Sequence, residues 1–106
     1  MEFIETSMFT RKIYELLSDE DYAELQSRLI QTPMAGDLIE GGKGLRKIRW
    51  RCSKGNKGKR SGARVIYYYA SMEQQTHMIF VYNKLFQDDL SREQLKILSA
   101  YVEDMI

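Results

Sequence analysis

A small α+β domain is predicted for this chain by three features of its sequence. Two apolar stripes at helical spacing come first, period-two alternation takes over in the middle, and the C-terminal segment returns to helical spacing behind a capping signature. At 106 residues the chain suffices for one hydrophobic core and not two. An apolar fraction of 43 % with seven Tyr, four Phe and one Trp excludes a disordered basic tail. The expected order is β-α-α-β-β-β-α, an antiparallel sheet with two N-terminal helices and one C-terminal helix.

A short strand is expected over Phe3 to Glu5. Phe9, Ile13, Leu16 and Leu17 then recur at helical spacing behind Thr6 and Ser7, either of which suits a helix N-cap. The second helix starts at Ser18, with Asp19, Glu20 and Asp21 where the helix dipole favours anions and Tyr22, Leu25 and Leu29 as its buried stripe; Pro33 ends it. Gly36, Gly41, Gly42 and Gly44 mark turns. In LRKIRWRC, Ile48, Trp50 and Cys52 alternate with Lys47, Arg49 and Arg51, which predicts a strand with one buried and one cationic face. The glycine- and lysine-rich segment SKGNKGKRSG reads as a long hairpin tip before the β-branched and aromatic strand ARVIYYYA. In the next strand, THMIFVYNK, alternation groups His77 with Ile79 and Val81, and Met78 with Phe80, Tyr82 and Lys84. Ser91 with Gln94, flanked by Leu90 and Leu95, opens the last helix; Leu95, Leu98, Tyr101, Val102 and Met105 form its apolar side. No repeat or linker divides the chain.

Function is indicated by charge placement. The segment from Lys43 to Arg64 carries ten of the sixteen Lys and Arg and no acidic residue, so a formal +1 conceals a segment at +10 against a remainder at −9. Clustered cations project a local field whatever the net sum, which points to a polyanion and first to nucleic acid. Lys47, Arg49 and Arg64 would stand on rigid strands, as phosphate positioning requires. Lys54, Lys57, Lys59 and Arg60 sit among glycines and suit steering, and Lys43, Arg46 and Arg51 extend the same RNA- or ribosome-binding surface. Tyr82 is the aromatic best placed to stack on a base. His77 and the lone cysteine, Cys52, read as core residues.

No HExxH or Cys/His metal spacing occurs, and GNKGKRSG lacks phosphate-loop spacing, so no metal or cofactor is expected. The metal-free route to RNA cleavage is attack of a ribose 2′-OH on its own phosphate. It needs a proton acceptor, a donor for the leaving oxygen and cations for developing charge. Lys and Arg fill these roles, since a Lys crowded by cations is a better acceptor and Arg offers a fixed fork of donors. A lone cysteine and the lack of an apolar N-terminal run of signal or membrane-spanning length predict a cytoplasmic protein with no membrane partner.

GDLIEGGKGLRKIRW, GKRSGARVIYYY and VYNK with DLSREQ together resemble the RelE/HigB superfamily of bacterial toxins, most specifically from Gly36 to Tyr69 in its HigB-like branch. The resemblance implies a RelE-like fold and a type II toxin. Such a toxin is a ribosome-dependent endoribonuclease that cleaves mRNA in the A site, contacts 16S rRNA and is neutralised by a cognate DNA-binding helix-turn-helix antitoxin. It places the active site at Lys47, Arg49, Arg64 and Lys84. Where the family often adds an aromatic or His residue, the position past Lys84 is Leu90, so Tyr82 or Tyr101 would serve. Two alternatives remain: a ParE-like gyrase poison of the same fold, or a non-catalytic RNA- or ribosome-binding protein.

Overall fold

The computed structural model describes residues 1–52 and 62–105. Its elements are β1 (Glu2–Glu5), α1 (Ser7–Leu16), α2 (Asp19–Gln31), β2 (Asp37–Leu38), β3 (Arg46–Trp50), β4 (Ala63–Ala70), β5 (Gln75–Asn83) and α3 (Arg92–Met105), with a 3₁₀ turn at Ser71–Glu73. The α+β class holds. The expected order is corrected by β2, a two-residue strand too short for any period to reveal, so the sheet has five strands in the order β1-β5-β4-β3-β2. The expected antiparallel sheet is mixed, because β1 pairs with β5 in parallel, from Glu2 opposite Gln75 to Glu5 opposite Met78.

Local chemistry explains the helix starts. The Thr6 side chain accepts from the Phe9 N–H at 3.0 Å and also donates to the Ile79 carbonyl at 2.7 Å, so one hydroxyl caps α1 and fastens it to β5. Ser18 accepts from the Asp21 N–H, and three acidic residues occupy the first turn of α2. At α3 the box is reciprocal: Ser91 Oγ accepts from the Gln94 N–H, and Gln94 Oε1 accepts from the Ser91 N–H.

The sheet has a core on each face. Phe9, Ile13, Tyr22, Leu25 and Leu29 of the two N-terminal helices pack on Ile48, Val65, Tyr67, Met78 and Val81. On the other face Leu98 and Val102 of α3 join Leu45, Ile66, Ile79 and Tyr82. Alternation in β5 departs from expectation because the β4–β5 register jumps from Ile66 opposite Phe80 to Tyr67 opposite Met78, leaving Ile79 as an extra residue. This bulge keeps His77 and Ile79 on the α3 side and sends Val81 to the α1/α2 side. Tyr101 is 40 % exposed and belongs to neither core, so the apolar side of α3 is narrower than its sequence implies. Among the described residues no helix is long and apolar enough to cross a membrane.

Candidate nucleic-acid interface

Three adjacent strands carry the central row. Arg49 of β3 lies directly opposite Arg64 of β4, and Arg64 directly opposite Tyr82 of β5. Cα partners in neighbouring antiparallel strands share a face at about 4.5–5.5 Å, so two guanidinium stems and a phenol stem rise side by side. Lys47, two residues along β3, is on the same face. Lys84 continues the alternate positions of Tyr82 just past β5, where its N–H still donates to the Gly62 carbonyl at 3.2 Å. Four of the five expected catalytic residues thus stand on one face of three strands, with Lys84 at its end. Arg49 is exposed, while Lys47, Arg64 and Lys84 are half-buried.

Gly62 gives the row its room. A methyl group built there would sit 3.1 Å from Arg64 Nη1 and 3.1 Å from the Trp50 carbonyl oxygen, so a larger residue would make the guanidinium or the β3 end give by a few tenths of an ångström.

A carboxylate completes the arrangement. Asp89, from the loop between β5 and α3, accepts from Lys47 Nζ at 3.2 Å and from the Leu90 N–H at 2.8 Å. The Leu90 amide and the Lys47 ammonium hold its carboxyl below the usual aspartate range. Sequence reasoning missed it because the basic segment contains no acid; the available signal was the Asp88–Asp89 pair just before the Ser91 capping box. Among the described residues no carboxylate lies within ion-pair distance of Arg49 or Arg64.

Tyr82 differs from expectation. It is 4 % exposed, packed with Phe80 at 6.1 Å between ring centroids, and therefore cannot stack on an incoming base. Its hydroxyl is shielded from solvent and closes no hydrogen bond of ordinary geometry among the described residues. Burial, reinforced by the nearby Asp89 charge and opposed by Arg64, pushes its pKa up to about 12. It is a protonated hydroxyl beneath the cation row throughout the neutral range.

The wider basic surface divides. Arg46 faces the other way, donating to the Gly36 carbonyl at 2.9 Å and tying β3 to the turn after α2. Lys43 pairs with Glu103 of α3 at 3.7 Å. Arg51 lies past the end of β3, where alternation stops, and lines a cleft with Asp21, Glu24 and Trp50 beside α2. Lys54, Lys57, Lys59 and Arg60 lie outside the described residues. Cys52 is buried, which pushes its thiol up, as a core residue should be. His77 is half-buried against Tyr68 at 6.4 Å, and burial lowers its pKa. It lines a cleft at the far end of β5 from the row. No family model matches this chain.

Proposed function

We propose that this protein is a metal-independent endoribonuclease that cleaves mRNA on the ribosome, with the opposed Arg49 and Arg64 as its scissile-phosphate site. The observation that carries this reading is the direct opposition of two arginines on neighbouring strands. Like charges on directly opposed positions of neighbouring strands repel, a cost that solvent screens only in part. A phosphate between them reverses that cost, and the fork geometry of guanidinium matches phosphate oxygens.

The chemistry follows from position. The ribose 2′-oxygen attacks phosphorus, its proton passes to an acceptor, the bond to the 5′-oxygen breaks, and that oxygen takes a proton, leaving a 2′,3′-cyclic phosphate. Arg49 and Arg64 neutralise the charge that builds on the nonbridging oxygens. Asp89 is the acceptor in the set, and Lys47 orients it. Lys84 supplies the donor on the β5 side, and the Tyr82 hydroxyl, shielded from solvent, takes no part in the proton transfer. A weak base of this kind makes dependence on the ribosome reasonable, because ribosomal RNA can supply the alignment of the 2′-oxygen. The resemblance to RelE/HigB toxins supports the same reading, with neutralisation by a cognate antitoxin and action in the cytoplasm.

Primer extension on a message translated in a purified extract tests it. Cuts in phase with codons are expected with the wild-type protein, and none with Arg64→Ala or Lys47→Ala, whose thermal unfolding should be nearly unchanged. Salt-sensitive RNA binding without cuts would assign the row to passive binding, and double-strand DNA breaks in the presence of gyrase would assign the protein to gyrase poisoning.

A further inference from the structure

A second cleft adjoins the row. It has a volume of about 360 Å³ and lies between the C-terminal half of α1 and the end of β5, lined by Lys12, Glu15, Tyr82, Asn83, Phe86 and Gln87. Strand β1 stops opposite Met78, so this stretch of β5 is flanked by α1 rather than by a strand. Tyr82 lines the cleft and also stands opposite Arg64, which puts the two features side by side.

Phe86 is 86 % exposed, an unusual position for a phenylalanine, and the turn that displays it is tightly held. The Asn83 carbonyl accepts from the N–H groups of Phe86 and Gln87, and Asn83 Oδ1 accepts from the Leu85 N–H at 2.9 Å. These bonds also orient the cleft's polar groups. Asn83 has its side-chain oxygen engaged and is left with its amide donor. Gln87 uses its nitrogen toward the Asp89 carbonyl and toward Gln94 Oε1, itself fixed as an oxygen by the Ser91 N–H, so Gln87 is left with its acceptor. Glu15 adds a carboxylate, steadied by Lys12 at 3.5 Å.

We infer that this cleft is a guanine-binding subsite for the nucleotide next to the scissile phosphate. An exposed aromatic ring offers a stacking face, which every base can use. Two acceptors, the Glu15 carboxylate and Gln87 Oε1, match the N1–H and N2 amino donors that guanine alone presents together. The donors of Asn83 and Lys12 match its O6 and N7 acceptors. Phe86 takes the stacking role that burial denies Tyr82. The inference rests on the cation row being an RNA site.

The test is fluorescence anisotropy at low salt with labelled hexaribonucleotides that differ at one central position: guanine, inosine or adenine in a uridine background. Inosine lacks only the 2-amino group. About tenfold tighter binding of the guanine oligonucleotide than of the inosine one is expected, a difference of the size that one base-edge hydrogen bond supplies. Glu15→Ala should erase the difference, and Phe86→Ala should weaken the guanine oligonucleotide by roughly 5- to 100-fold. Both residues are exposed, so unchanged thermal unfolding is the accompanying control. Equal affinity for guanine and inosine, or a preference that survives Glu15→Ala, overturns the subsite even if codon-phased cleavage is observed. Guanine preference without any cleavage in the translating extract upholds the subsite and overturns the endoribonuclease reading instead.

Discussion

The hydroxyl groups of two tyrosines on adjacent strands are used in opposite ways. Tyr67 is fully buried; its hydroxyl donates to the Pro33 carbonyl at 2.8 Å and accepts from the Gly36 N–H at 2.9 Å. Tyr67→Phe leaves a buried amide and a half-buried carbonyl unpaired and should cost about 1–3 kcal/mol, read as a lower urea midpoint at unchanged slope. Tyr82, whose hydroxyl closes no such bond and is shielded from solvent, should tolerate Phe without loss of stability or of cleavage. Alkaline titration gives a second check. The folded-state pKa of Tyr82, about 12, lies above the ordinary tyrosine value, so its share of stability is intact below about pH 10 and is lost as pH rises through 12. Ultraviolet absorbance should show a tyrosine ionising near that pH in the wild-type protein and not in Tyr82→Phe. The sequence marked Tyr82 as part of the site through its parity with Lys84. It could not show that the ring lies under α3, because burial depends on which helix covers that face.

At the level of elements, the turn between α2 and β3 is as tightly specified as any strand. A Cβ at Gly36 would lie 2.9 Å from the Lys47 carbonyl oxygen and 2.9 Å from a Tyr67 ring carbon. Gly36→Ala must therefore move β3 or β4, and with them the register that sets Arg49 against Arg64. A drop of several degrees in melting temperature together with lost RNA binding is expected, measured by circular dichroism and anisotropy. All three helices were legible in the sequence because caps and apolar spacing are local. So was the adjacency of β3, β4 and β5, through alternation in β3 and β-branched content in β4. Three things were not. Strand β2 is too short to have a period. The parallel direction of β1 is decided by packing against β5. The bulge at Ile79 is one inserted residue whose side chain is apolar either way, so nothing in the string marks it. Asp89 escaped for a related reason: a loop carboxylate meets Lys47 only because α3 folds back over the sheet.

For the whole molecule the governing quantity is charge separation, +10 over one segment against −9 elsewhere. Neutralising single-stranded RNA releases counterions, with a slope of log affinity on log salt of about −0.7 per phosphate contacted. If Lys47, Arg49, Arg64 and Lys84 each meet one phosphate, the slope should be near −3, and each alanine substitution should reduce it by about 0.7, measured by anisotropy from low to physiological salt. Asp89→Ala should act in the other direction on affinity, because it frees Lys47 for phosphate, while abolishing cleavage if the carboxylate accepts the 2′-OH proton.

The parallel pairing of β1 with β5, and the Thr6 hydroxyl bonded to Ile79 across a separation of 73 residues, bear on how the polypeptide is made. Closing a loop of that span costs about 4 kcal/mol of chain entropy before any contact repays it. During vectorial synthesis the first strand must wait for its partner to clear the exit tunnel, and the five-stranded sheet is completed only then. A nascent chain of this design therefore completes its sheet only late in, or after, its own translation.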